Sequence, residues 1–368
     1  MVSKPIKYKM IKITKVFSSV IILFFLSLSC SSDPEPQDQI NFNWPVSTPQ
    51  ELGLDKSMIT AAMSSAEIDG SINSLIIIRN EKIAAEKYFN GRNAKSYQTV
   101  RSVSKSFLSA MIGIAIDKGI LTLDKKVIDF FPEFSNSNID QRYYSMTIEN
   151  LLTMRSGIKG DEEFYSTFTT SSNWIKTIIE SNLDFAPGTR MQYSTAAAHL
   201  LSVVLTKTSS TSSLDFAKKF LIEPMGISII DWSRDPQGYY FGGNEMFFTT
   251  RNNAALGLLY MNKGKLNDQQ IIPEDWVNKS LLYSGGSSTS WGSLNEVGYG
   301  YFWWLGKLAG RKVFFALGHG GQYVLCVPDL NMIVAATSYP NFDWVTADQH
   351  ERAVLQIISD YILPAVVE

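Results

Sequence analysis

Ser102-Val103-Ser104-Lys105 sets a hydroxyl and an amine three residues apart at the head of an apolar run. On a helix, residues three apart share a face, so the two side chains can meet. A serine at a helix N-terminus also gains from unsatisfied N–H groups, which favour developing negative charge. A lysine that follows it into an enclosed place loses hydration, and its charged form is disfavoured from a free value of about 10.4. Neutral lysine can take a proton from serine and make it a nucleophile. Taken alone, the pattern describes equally well a helix cap followed by a surface lysine. The run behind it weighs against that. Phe107, Leu108, Met111, Ile112, Ile114, Ala115 and Ile116 cover most of the circumference, and a helix apolar nearly all round belongs in the interior. Ser104 and Ser106 are competing hydroxyls, but neither has a lysine three residues on.

Two further groupings can act on the same carbonyl chemistry. Tyr193-Ser194-Thr195 follows Pro187-Gly188-Thr189-Arg190 and precedes the helical run Ala196 to Thr206. A tyrosine on a loop at a helix start can share its proton with a lysine and a serine. The plainer reading is a half-buried aromatic with its hydroxyl on backbone. His319-Gly320-Gly321-Gln322 stands where a strand begins. Glycines there let a substrate approach the backbone, and an extended substrate could pair with the strand edge. The amides of Ser102 and Gln322 are candidates to hold an oxyanion. The plainer reading is a tight turn between two strands.

The elements that must position these groups are partly legible. Asp55 is placed to cap a helix running to about Asp69, with Gly70 to stop it. Ser74 to Arg79 and Lys82 to Phe89 read as strands joined by a turn at Asn80-Glu81. Positions 120 to 290 mix helical periods, such as Thr147 to Thr153, with loops rich in Gly, Ser, Asn and Asp. Val313 to Leu317, Gln322 to Val327 and Met332 to Thr337 read as strands, with Pro328 to Asn331 turning the last pair. Thr346 and Gln349 suggest a capping box for a final helix, whose apolar face is Ala353, Val354, Ile357, Ile358 and Ile362. The expected fold class is mixed α/β, of the α+β kind. One antiparallel sheet is built from both chain ends and flanked by helices, with a mostly helical region inserted.

The 368 residues are 45% hydrophobic and 18% charged with a net charge of -2, an ordinary globular balance that gives no electrostatic reason to expect a nucleic-acid partner. His199, His319 and His350 are far apart, and no zinc or phosphate-loop spacing is present, so no metal or organic cofactor is expected. Lys4, Lys7, Lys9, Lys12 and Lys15 precede the apolar stretch Val16 to Leu28. That is short of the roughly 20 residues a membrane span needs and fits a signal peptide, with Met10 an alternative start. Leu26-Ser27-Leu28-Ser29-Cys30 resembles a bacterial lipoprotein signal, although the usual leucine at the third position before the cysteine is Ser27. The alternatives are an ordinary signal peptide or an uncleaved anchor. The expected organisation is a signal over 1–29, lipidation at Cys30, an acidic tether over 30–43 and one folded domain over 44–368. With Cys30 consumed, Cys326 has no partner and reads as a small buried apolar residue in a strand.

Taken together, an early S-x-x-K, a central Tyr-Ser-x and a late glycine-containing triplet resemble the serine hydrolases of the β-lactamase and penicillin-binding-protein superfamily. The likeness is closer to class C β-lactamases, D-alanyl-D-alanine carboxypeptidases, esterases and nylon-oligomer hydrolases. Trp44 to Gln50, Leu151 to Gly157, Pro187 to Ser194, Tyr299 to Trp304 and Gly318 to Asp329 agree, so the resemblance runs over about residues 44 to 365. It implies that Ser102 is the nucleophile, Lys105 and Tyr193 its proton-transfer partners, and the Ser102 and Gln322 backbones the oxyanion hole. It puts Thr195 where an amide would contact substrate, and His319, followed by Gly320 and Gly321, where β-lactamases carry a lysine. The fixed cation that meets a β-lactam carboxylate is then missing at neutral pH.

The expected activity is acyl transfer to water from an ester or amide, in a small molecule or peptide, more esterase-like than β-lactamase-like. A peptidase on cell-wall or D-amino-acid peptides is the alternative within this frame. A non-catalytic lipoprotein that binds peptides or partners is the alternative from another class. The chain is expected to be exported and to meet a bacterial membrane through its lipid only, on the periplasmic or cell-surface side. Its oligomeric state is not set by the sequence, with a monomer as the expectation. The aromatic cluster Tyr299, Tyr301, Phe302, Trp303 and Trp304 is expected in the core and in the pocket wall near His319.

Overall fold

A computed structural model describes residues 40–134, 138–266, 268–285, 290–340 and 343–367. The expected leader, Cys30 and the tether as far as position 39 lie outside the described residues. Among the described residues no helix is long and apolar enough to cross a membrane.

The main sheet has seven antiparallel strands. They are β1 (Ile72–Arg79), β2 (Lys82–Tyr88), β3 (Leu294–Tyr299), β4 (Trp304–Leu308), β5 (Arg311–Gly318), β6 (Gln322–Val327) and β7 (Met332–Ser338). Their spatial order is β2-β1-β7-β6-β5-β4-β3, so the first hairpin pairs with the last strand and both chain ends share one sheet. Asn80 and Glu81 both take positive φ, 50° and 62°, the geometry that matches a two-residue hairpin to the strands' twist.

The sheet is buried on both faces, and side-chain alternation sorts its residues between two cores. Ile76 and Ile78 of β1, Val324 and Cys326 of β6, and Ile333 and Ala335 of β7 face the larger core. Leu75 and Ile77, Leu325 and Val327, and Val334 and Ala336 face the other. Cys326 is fully buried, as its apolar run implied.

On the smaller core lie α1 (Lys56–Asp69) and the C-terminal helix. Asp55 accepts the amides of Ser57 and Met58 to cap α1, and Gly70 at φ 74° ends it. The larger core is built around α2 (Val103–Asp117), whose first thirteen residues are all buried. Phe107 stacks on Phe248 at 4.5 Å between centroids. The region between β2 and β3 is mostly helical. It includes α3 (Asp161–Thr169), α4 (Thr195–Ser209) and α5 (Thr250–Met261), with two small sheets of short strands.

The final helix, α6 (Trp344–Ile357), begins earlier than the Thr346–Gln349 box implied. Asp343 is its cap, accepting the amides of Val345 and Thr346. The Thr346 hydroxyl donates to the same carboxylate at 2.5 Å. A charged oxygen upstream outcompetes a neutral one for the first free amides.

Candidate active site

Ser102 stands at the N-cap of α2 but does not cap it. Its backbone is already helical (φ −70°, ψ −5°), and its side chain makes no capping bond. The preceding Arg101 is left-handed at φ 49°, which costs a non-glycine residue roughly 1–2 kcal/mol. The turn is held by the Arg101–Glu245 ion pair at 2.6 Å, with both side chains mostly buried. The Arg101 amide also donates to Thr99 Oγ1 at 3.2 Å. The competing hydroxyls are engaged elsewhere: Ser104 donates to the Arg101 carbonyl and Ser106 to the Phe302 carbonyl, each at 2.7 Å.

Lys105 is 1% exposed. Its Nζ lies 2.9 Å from Ser102 Oγ, 2.9 Å from Thr195 Oγ1 and 2.7 Å from the Gly243 carbonyl oxygen. A carbonyl oxygen can only accept. Thr195 Oγ1 uses its own proton toward Asp161, so it too accepts from the lysine. Two of the three nitrogen positions therefore carry N–H, and the third is aimed at Ser102. In the neutral amine that third position is the lone pair, which makes Lys105 a base directed at the serine proton. Burial brings its pKa down to about 8, against the pull of the Asp161 carboxylate.

Tyr193 precedes Ser194, the cap of α4, whose hydroxyl accepts the Ala197 amide. The loop is pinned by Met154, whose carbonyl accepts the Gln192 amide at 2.7 Å. The ring stacks on Trp304 at 5.8 Å and meets Tyr299 edge-on at 6.1 Å. Lys105 Nζ sits 4.8 Å from its centroid. Burial raises the pKa of the phenol far above its ordinary value, and interaction with the Ser102 side chain opposes only part of that rise. The phenol is therefore a proton donor rather than a resident phenolate.

These groups open on a cleft of about 1020 Å³, whose lining includes Ser102, Asp161, Tyr193, Trp304, His319 and Glu351. That is the size of a small-molecule or short-peptide site. The aromatic cluster divides: Phe302 and Trp303 are buried, while Trp304 forms cleft wall.

Four of the expected substrate-side residues make hydrogen bonds within the protein. The Thr195 hydroxyl is not turned to substrate. Thr195 lines the cleft, but its hydroxyl donates to Asp161 Oδ2 at 2.6 Å and accepts from Lys105. Of the late motif, His319 lines the cleft, whereas Gly320, Gly321 and Gln322 are not among its lining residues. Gln322 is fully buried and its side-chain amide brackets Ser338, accepting N–H and donating to C=O at 3.1 Å each. The Gly320 amide donates to Glu351 Oε1 at 3.0 Å. The strand end that abuts the nucleophile turn lies one step earlier: a Cβ on Gly318 would meet the Val100 carbonyl oxygen at 2.4 Å.

Two cleft residues were not foreseen. Asp161 accepts both the amide and the hydroxyl of Thr195, each at 2.6 Å, and its carboxyl is pushed up by burial against the pull of Lys105. Its sequence signal, the acidic start Asp161-Glu162-Glu163 of a helix, is the same as that of ordinary favourable charge at a helix N-terminus. Glu351 is raised by burial to about 7. It sits on the polar side of an amphipathic helix, and no local pattern marks it as facing a cleft.

A sheet of this order with the buried helix α2 beneath it is the β-lactamase/transpeptidase-like fold. Residues 58–356 match the Beta-lactamase family. The chain is 21% identical over 300 residues to the 6-aminohexanoate-dimer hydrolase of Paenarthrobacter ureafaciens, covering 74% of each. It superposes on the hydrolase EstCE1, described as having promiscuous acyltransferase activity, with a TM-score of 0.67 and 15% identity over 83% of this chain and 99% of that one. A D-stereospecific amidohydrolase from Streptomyces gives 0.62 and 18% over 82% and 98%. The chain belongs to the beta-lactamase family and is a serine hydrolase.

Proposed function

We propose that the protein cleaves esters or amides through an acyl-enzyme on Ser102, with Lys105 as base and Tyr193 as proton shuttle. The observation that carries this reading is the Lys105 amine, fixed by two acceptors so that its third position meets Ser102 Oγ at 2.9 Å. The amine takes the serine proton as Oγ attacks the carbonyl. The tetrahedral oxyanion is held by the Ser102 amide and by a backbone amide of the His319–Gln322 segment, each such donor contributing about 3 kcal/mol. Tyr193 passes the proton to the leaving group, and water then attacks the acyl-serine to restore the hydroxyl.

The substrate is proposed to be an ester or amide without the carboxylate of a β-lactam. On the wall at the end of β5 the cleft presents His319, its ring 4.8 Å from Trp344, together with the Glu351 carboxyl. Once ionised, a carboxyl there repels an anionic group that a fixed lysine would attract. The names of the similar proteins, a hydrolase with acyltransferase activity, an amidohydrolase and an amide-dimer hydrolase, are of the same reaction type. A panel of a short-chain nitrophenyl ester, a D-amino-acid amide and a chromogenic cephalosporin tests this. Ester turnover far above cephalosporin turnover is expected. Amide turnover above ester turnover would move the reading to a peptidase, and fast cephalosporin turnover would overturn it.

Export and anchoring are part of the same proposal. The basic and apolar leader ahead of Cys30 supports attachment through lipid at that cysteine, with the acidic tether carrying the enzyme away from the bilayer. Cys30→Ser should move the protein from the membrane fraction to the soluble one. Retention in the membrane by the variant would contradict lipidation.

A further inference from the structure

We propose that Asp161 is the positioning residue of the Ser102–Lys105 pair: through Thr195 it holds the amine on the hydroxyl. The inference rests on the reading of Ser102 as nucleophile given above.

The geometry is a continuous chain of hydrogen bonds. Asp161 Oδ1 accepts the Thr195 amide and Oδ2 accepts the Thr195 hydroxyl, at 2.6 Å each. That hydroxyl accepts from Lys105 Nζ at 2.9 Å, and Nζ meets Ser102 Oγ at 2.9 Å. The Asp161 amide donates to the Tyr193 carbonyl at 3.3 Å. One residue therefore grips both sides of the Tyr193-Ser194-Thr195 segment and fixes which way the Thr195 proton points. Without that carboxylate the threonine proton is free to turn toward Lys105, where it would compete with Ser102 for the lone pair. The same charge favours the protonated amine, opposing the burial that favours the neutral one. Asp161 thus holds the base in the range where it can both take and return a proton.

The other ionisable groups around this chain come from several elements. Tyr165 lies on Asp161's own helix, Tyr193 on the loop before α4 and Tyr299 on β3, all raised by burial. Arg101 is paired with Glu245. Glu351 reaches the cleft from α6. Of these, Glu351 titrates near Lys105, at about 7.

The test uses the full-length protein and a fluorophosphonate probe, so no natural substrate is needed. The labelling rate of Ser102 is measured from pH 5 to 10 in wild type, Asp161→Asn and Asp161→Glu. The series is run also in a Glu351→Gln background, which removes the neighbouring titration. Wild type should label with an inflection near 8. Asp161→Asn should lower that inflection by roughly 1 unit, and Asp161→Glu should restore it. A purely structural loss would reduce the plateau and leave the inflection in place. Wild type that never labels would overturn the reading of the site together with this inference. Wild type that labels, with an inflection unmoved or raised in Asp161→Asn, would overturn this inference alone.

Discussion

Lys105 Nζ lies 2.7 Å from the carbonyl oxygen of Gly243, and the contact exists because residue 243 has no side chain. A Cβ there would stand 2.6 Å from Thr195 Cγ2 and 3.2 Å from Lys105 Nζ. Gly243→Ala must therefore push apart the groups that aim the amine. Overpacking of this kind costs about 1–3 kcal/mol, which leaves most of the protein folded. The expected outcome is a modest drop in the thermal midpoint with a loss of ester kcat/KM much larger than the unfolded fraction explains. Unchanged kcat/KM would show that the Gly243 contact does not orient the base.

Tyr193→Phe separates packing from proton transfer. The stacking on Trp304 and the edge contact with Tyr299 belong to the ring and survive in phenylalanine. Stability should change little, while kcat falls by roughly 100-fold or more, the usual weight of a general acid–base group. Paired melting curves and steady-state kinetics check this. A variant that kept kcat would remove Tyr193 from the reaction.

Glu351 makes a pH-dependent prediction about stability. Burial raises its folded pKa to about 7 from an ordinary 4.5. Between those values the folded state holds a proton that the unfolded state has lost, so stability falls as pH rises from about 4.5 through 7. Glu351→Gln keeps an acceptor for the Gly320 amide and abolishes that fall. The variant should be more stable than wild type at pH 8, by an amount on the order of 3 kcal/mol, and the gain should vanish at pH 4. Denaturant melts at the two pH values decide it. An equal difference at both would mean that the carboxylate is not penalised in the fold.

The motifs that local physics writes into the chain were legible. An all-round apolar helix behind Ser102 signals burial of Lys105, and the run Ala196 to Thr206 signals α4. The hairpins at Asn80-Glu81 and Pro328-Asn331 follow from turn chemistry. What was not legible depends on contacts between distant segments. Asp161 and Thr195 are 34 positions apart, and only the packing of α3 on α4 lets the carboxylate take up the hydroxyl. β3 and β4 were hidden because Tyr299 to Trp304 reads as an aromatic cluster, whereas its middle is the turn between two strands. Gln322 was assigned to the cleft by position in a motif. The hairpin register pairs it with Gly318, and its side-chain amide is turned to Ser338.

The most direct test of the account is hydrolysis of a short-chain nitrophenyl ester by wild type and Ser102→Ala, with intact-protein mass measured during turnover. Wild type should turn over and carry the mass of one acyl group. The variant should lose activity by more than about 1,000-fold and carry none. A Ser102→Ala protein that hydrolysed the ester as fast as wild type would contradict the account at its centre.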